Sequence, residues 1–402
     1  MSAEPVWVCD LEEKRARSRA RARVAAIPEG EEAKILCSDR YRSRKVLHLL
    51  FKGCELLRFK DAETAWKQAR YLPDLAELIP VGPGADAFAT FEQRISERIR
   101  ALALKGEIAG LLSLEDLPDR EKLDMESSSR HAFERALFSV DSASLEAVAE
   151  MWQRSAALAL RRGRVTEARK ASGRSLDLFD EQRPAEALLI YGASAPATEG
   201  YESLVDSLMV NDLSDELNEI LADAALGLLV RDLGGCLSML SAETISKLLG
   251  GCREIRKRWR GRLKAVSRRL YLSWVEGLLH RRLCLGRSAL RKLDLAFKGL
   301  KDETALVGLA VDVADVQILN GEFNAAREAL SHALELVVVS DGSTAVIEAL
   351  QEAKGLDHGA MRRARCCLVM EHLSPSISKV YPLSPPDGKQ EPADPPMSVG
   401  AG

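Results

Sequence analysis

Aromatic residues make up only 5% of this 402-residue chain, although 46% of it is hydrophobic. That shortage disfavours an all-β fold, where Tyr, Val, Ile and Thr are enriched, and suits helices packed through Leu and Ala. No run of about 18 consecutive apolar residues occurs, so no transmembrane helix is expected. Charge of one sign is not in excess either. A net charge of −3 gives the whole chain no general attraction for nucleic acid, and any electrostatic preference must come from local clusters. The eight cysteines form no CxxC pair, and a chain of this length needs no disulfide staples, so a reducing cytoplasm is the expected home. The N-terminus, MSAEPVWVCDLEEKRARSRARARVAA, lacks the apolar segment of a signal peptide, and Glu4, Asp10, Glu12 and Glu13 argue against an organellar transit peptide.

What is present reads at helical period almost throughout. Residues 1–33 form a basic arm, expected to be flexible, that ends at IPEGEE. Residues 373–402 hold seven prolines and few large apolar groups. Such a tail cannot bury enough surface to offset its ordering entropy, so disorder is expected there. Between them the expected organisation is helical repeats over 34–200 and again over 201–372. LPDREKLD (117–124) and YGASAPATEGYES (191–203) are the clearest interior breaks. The β-branched run in ELVVVSDGST (335–344) continues a helical pattern and is read as a helix end.

Periods near 34 residues mark repeat arrays. In VGLAVDVADVQILNGEFNAAREALSHALEL the turn glycine is Gly321, followed by Phe323, Ala326, Leu330 and Ala333, with Ala310 and Ala314 as small residues on the preceding helix. Small side chains at such positions let helix axes approach to the short end of the 8–10 Å range. A second hairpin carries Trp152, Ala156, Gly163, Val165 and Ala168. A third carries Trp274, Gly277, Gly286, Ala289, Leu293 and Ala296, with Trp274 at the place of Trp152 and Gly286 at that of the turn glycine, although it is one residue short between Trp274 and Ala289. Ala289, Leu293 and Ala296 each precede Ala326, Leu330 and Ala333 by 37 residues. A fourth candidate, LHLLFKGCELLRFKDAETAWKQARYL, offers Gly53 and Ala65.

Over 55–77, 152–171 and 274–330 these patterns resemble divergent bacterial tetratricopeptide-repeat-like (TPR-like) proteins. The resemblance implies an all-α fold, a right-handed α-solenoid of antiparallel helix hairpins with a concave groove. It also implies a non-enzymatic scaffold for protein–protein interaction. The family's carboxylate clamp for C-terminal peptides is missing, because Gln153, Ala157, Val275, Leu279, Val311 and Asp315 stand where basic and Asn residues would be. A chaperone-tail role is therefore not implied. Residues 201–250 fit the pattern poorly and suggest helices of irregular length. Gln153, Arg161, Arg282 and Asp315 are the candidate partner-binding residues along the groove.

Other constellations have a plainer explanation. CREIRKRWRGRLKAVSRR (252–269) holds nine basic residues and one acidic. As a nucleic-acid contact it would use Arg256, Lys257, Arg260, Lys264 and Arg268, together with Lys14, Arg15, Arg17, Arg19, Arg21 and Arg23 of the arm. The favoured alternative is a solvated helix face paired with acids such as Glu216 or Glu219. His358, Cys366, Cys367 and His372 could ligate a soft metal, but adjacent cysteines on a helix point about 100° apart, so no metal is expected. Ser127, Ser128 and Ser129 before His131 read as a helix cap rather than a nucleophile and base. The two LGG stretches (233–235 and 249–251) lack P-loop or dinucleotide spacing and read as helix-ending glycines. DLSDELNE (212–219) reads as an acidic helix start, not a calcium loop. No cofactor, membrane or catalytic site is expected. A protein partner is, its identity open.

Overall fold

The computed structural model describes residues 34–84, 86–179, 183–195, 197–236, 240–339, 344–356, 359–361 and 363–365. The basic arm, the Pro-rich tail and His358, Cys366, Cys367 and His372 lie outside the described residues. Among the described residues the chain is all-helical, without a strand. One isolated bridge pairs Val81 with Phe88. No helix among them is long and apolar enough to cross a membrane.

The helices follow one another closely: α1 (Lys34–Cys37), α2 (Arg44–Leu57), α3 (Ala62–Ala69), α4 (Leu72–Leu78), α5 (Phe91–Leu112) and α6 (Asp119–Leu137). Next come α7 (Leu145–Arg161), α8 (Val165–Leu178), α9 (Ala185–Ser194), α10 (Ala197–Val210) and α11 (Glu216–Cys236). The last are α12 (Ala242–Arg258), α13 (Val266–Arg282), α14 (Gly286–Gly299), α15 (Glu303–Leu319), α16 (Phe323–Val339) and α17 (Thr344–Ala353). The division expected between residues 200 and 201 falls within α10. Short polar residues start several of these helices. Asp61 accepts from Thr64 N at 2.9 Å, Thr90 from Gln93 N at 3.1 Å, Asp215 from Asn218 N at 2.9 Å and Ser241 from Thr244 N at 3.1 Å. Each such cap contributes about 1 kcal/mol by satisfying an otherwise orphaned amide.

Three hairpins, α7–α8, α13–α14 and α15–α16, turn in the same way. The turning residue has positive φ in each: Gly163 at 73°, Cys284 at 57° and Gly321 at 79°. The next residue donates back across the turn, Arg164 N to Ala159 O, Leu285 N to His280 O and Glu322 N to Gln317 O, at 2.9, 3.0 and 2.8 Å. This is the glycine-type helix stop, with the last carbonyls satisfied by the reversing chain. Five residues after the turn stand Ala168, Ala289 and Ala326, all fully buried. Seven before it stand Ala156, Gly277 and Ala314, also fully buried. A methyl on Gly277 would lie 2.6 Å from Leu293 Cδ2, so the first helix can lie this close to the second only because no side chain intervenes.

The structure corrects five expectations. Gly286 is not the turn of the third hairpin; it opens α14, and Cys284 takes the left-handed conformation instead. Trp152 and Trp274 therefore do not occupy one position. Trp152 lies eleven residues before its turn and is partly exposed beneath Arg174, whereas Trp274 lies ten before and is fully buried. Gly53 lies inside α2 facing open space, so it makes no close helix contact. Of the LGG stretches, 233–235 lies in the last turn of α11, whereas 249–251 ends no helix. Gly250 and Gly251 sit within α12, where a methyl on Gly251 would come 2.4 Å from Val205, and Gly234 sits within α11. Likewise Ser127–Ser129 lie inside α6, and the buried Ser129 hydroxyl donates to Gly106 O on α5 at 2.7 Å.

Gly234 leaves space for a guanidinium. Arg365 reaches over it to donate to Val230 O at 2.8 Å and Arg231 O at 3.1 Å on α11. The same group meets Asp312 at 2.6 Å, and Asp312 also accepts from Trp274 Nε1 at 2.7 Å. Asp312 and Trp274 are fully buried and Arg365 nearly so. Three separate parts of the chain are thus joined through one carboxylate. Asp312→Ala strands the Arg365 charge and is expected to lower stability by ~3–5 kcal/mol, the usual cost of breaking a buried pair. A urea titration reads this as a lower midpoint with an unchanged slope.

Candidate binding cleft

A second set of buried charges lies between helices that are distant in sequence. Arg58 follows the end of α2, and its side chain is wholly buried. It donates to Glu186 on the first turn of α9. Its Nε stands 3.3 Å from Glu107 on α5, an ion pair without hydrogen-bond alignment. Arg154 of α7 reaches the same Glu107 at 3.0 Å from its other side and also pairs with Glu55 of α2. Burial opposes charge on Arg58, yet Glu107, Glu186 and Glu55 outweigh it and raise its pKa above the ordinary guanidinium value. Burial also opposes charge on Glu186, but Arg58 and Arg154 prevail and hold its pKa below the usual carboxylate value. Burial of this kind is tolerated only because every charge meets a close opposite.

Glu55, Arg154 and Glu186 of this cluster line a cleft of about 410 Å³. Phe51, Lys52 and Glu55 come from α2, Glu97 and Arg100 from α5, and Glu146, Glu150, Gln153 and Arg154 from α7. The start of α9 contributes Pro184, Ala185 and Glu186. Leu217, Asn218 and Leu221 come from α11, and His48 of α2 completes the lining. Arg100 pairs with Glu97 at 2.9 Å, Glu150 at 3.0 Å and Glu146 at 3.2 Å. Burial pushes the pKa of Glu150 up to about 7 despite Arg100 and Arg154. Burial, with Lys52 next in weight, lowers that of His48, so its imidazole is neutral at pH 7.

The four groove candidates separate into two places. Gln153 lines the cleft, and Arg161, near the end of the same helix, lies against the Phe59 ring. Asp315 pairs with Arg281 on the neighbouring α13, and the partly buried Arg282 ends that helix. Gln153, Arg161 and Asp315 are all buried. No sequence pattern marks Glu55, Arg58, Glu107, Glu150, Arg154 and Glu186 as a group, because scattered Arg and Glu on amphipathic helices look like solvated faces.

The basic run is largely paired. Arg256 meets Glu276 at 2.8 Å, Lys257 meets Glu254 at 2.7 Å, Lys264 meets Glu219 at 2.6 Å, and Arg268 meets Asp223 through two contacts of 2.7 Å. Glu216, by contrast, pairs with Lys60. Arg260 is exposed, with no carboxylate in ion-pair range among the described residues. These contacts bind α12 and α13 to each other and to α11. No group of three metal-ligating side chains occurs among the described residues. No family model matches the chain, and no curated protein matches it.

Glu150 gives the cleft a pH signature. Its carboxyl leaves the ordinary value of 4.5 for about 7 on folding. Between those values the folded chain holds a proton that the unfolded chain has released, so this group costs stability progressively as pH rises through the window. Glu150→Gln is expected to flatten the fall in urea midpoint between about pH 5 and about pH 7, leaving the acid limb in place.

Proposed function

We propose that the chain is a non-enzymatic scaffold, TPR-like in kind, whose hairpins form a right-handed α-solenoid in the cytoplasm and hold a peptide or helix of a partner protein. The observation that carries this reading is the cleft itself. Five helices distant in sequence contribute its lining, and there the buried acceptor Gln153 Oε1 has no hydrogen-bond donor. Buried acceptors are normally satisfied, and a lasting exception asks for a missing donor. The shared turn and the buried small residues of the three hairpins support the helical-scaffold part of the reading, because they let neighbouring helices lie close. Recognition in such a cleft works through shape and pockets rather than bond-making.

Nucleic-acid contact through 253–269 and the N-terminal arm is the other reading, and the pairing of Arg256, Lys257, Lys264 and Arg268 weakens it. The expected outcome is no binding of duplex DNA or RNA at low salt. Binding that collapses as salt rises would favour nucleic acid instead. For the scaffold, a photo-crosslinking residue at the exposed Lys52, on the cleft, should capture a discrete protein in cells. The same residue at Lys298, outside the cleft lining, should not. Equal capture at both positions, or none at Lys52, removes the reading.

A further inference from the structure

Gln153 stands ten residues before its turn, as Trp274 and Val311 do before theirs, and those two are buried apolar residues. The first hairpin thus carries an amide at a core position, 5% exposed, with its oxygen unpartnered and its side chain lining the cleft. An unsatisfied buried acceptor costs about 1–3 kcal/mol, so it calls for a donor. Glu146 and Glu150 lie seven and three residues earlier on α7, which places all three on one helix face. Glu97 joins them from α5. These three carboxylates share the single guanidinium of Arg100. Glu55, Glu107 and Glu186 meet Arg58 and Arg154, and Arg161 adds its charge toward Glu186. Cation is therefore the deficient species around Arg100, although Lys52 adds one on the cleft lining. The raised pKa of Glu150 agrees, since its ionised form remains under-compensated. Phe51, Leu217 and Leu221 supply apolar wall for a hydrocarbon stem.

We propose that the cleft receives a basic side chain of the partner segment, its N–H groups donated to Gln153 Oε1 and shared by the Glu150 carboxylate. This rests on the scaffold reading, and it fixes the partner's chemistry. A guanidinium suits the pair best, because its planar fork presents several donors at once, while a lysine ammonium offers the same charge with less geometric match. The long methylene stem lies along apolar wall while the charged head reaches the acceptors.

The probe is N-acetyl-arginine methylamide, titrated against the full chain by isothermal calorimetry or by NMR shifts. The neutral citrulline counterpart and spermidine serve as comparisons. Saturable binding of the arginine probe is expected, with at least tenfold weaker binding of the citrulline compound. Glu150→Gln and Gln153→Leu should each weaken the arginine probe about tenfold. Glu150→Gln removes a charge that is costly to ionise in place, so this variant is expected to fold, and circular dichroism verifies it. No binding of the arginine probe, equal binding of the citrulline compound, or unchanged binding by folded Glu150→Gln would each overturn the assignment. Tighter binding of spermidine than of the arginine probe would overturn it in favour of a free small polycation. A protein captured at Lys52 with no response to the probe defeats the basic-side-chain assignment alone. A probe response with no captured protein defeats the partner-borne form and the scaffold together.

Discussion

Two guanidinium groups out of water, Arg58 and Arg154, set the constraint on which the N-terminal half depends. A charge in that position is tolerated only beside close opposite charges, and the opposites come from α2, α5 and α9. Hydrophobic contact alone would allow those helices to slide, since apolar burial is non-directional. The ion pairs do not allow it, because Glu107 must stand between Arg58 and Arg154 while Glu186 reaches Arg58 from the start of another helix. Fixing the helices in this way also fixes the cleft above them.

In the C-terminal half the same problem has a different solution. Asp312 is fully buried on α15, and its acceptor capacity is taken up by Trp274 and by Arg365 from near the end of the described chain. Arg365 in turn satisfies two carbonyls of α11, and Gly234 provides the space. Nothing there is left open. The contrast lies between two places: the Asp312 network is complete, whereas on the cleft lining Gln153 Oε1 has no donor.

The parts of this fold legible in the sequence were those that leave small side chains at fixed spacing. Ala168, Ala289 and Ala326 could be picked out because a close helix approach admits little else, and all three are buried. The 37-residue offset between two hairpins survives in the coordinates through their turns and buried alanines. Cys284 was not legible, because a positive φ is ordinarily a glycine's conformation, and Gly286 nearby drew the turn two residues too far. Missing that turn also placed Trp152 and Trp274 in one position and hid the correspondence of Gln153 with Trp274 and Val311. The buried ion pairs were illegible for another reason. Arg58 meets Glu186 across 128 residues, and Arg154 meets Glu55 across 99. No local pattern marks such a pair. The basic run shows the converse: a cluster conspicuous in sequence is largely spent on partners that local reading could only guess, Glu219 among them and Asp223 not.

The unmarked turn at Cys284 and the unmarked buried ion pairs have a common origin, and it bears on where function lies. A helical hairpin built on small-residue contacts tolerates many side chains elsewhere, so the scaffold imposes little on the residues that face its clefts. The position ten residues before each turn illustrates this. Trp274 fills it with bulk, Val311 with a smaller apolar group, and Gln153 with an amide. Packing explains the first two. It does not explain the third, since an apolar residue of similar volume would leave no acceptor unsatisfied in the same space. The residue that departs from its equivalents therefore marks a place where something other than packing is selected, and that place lies on the cleft beside Glu150.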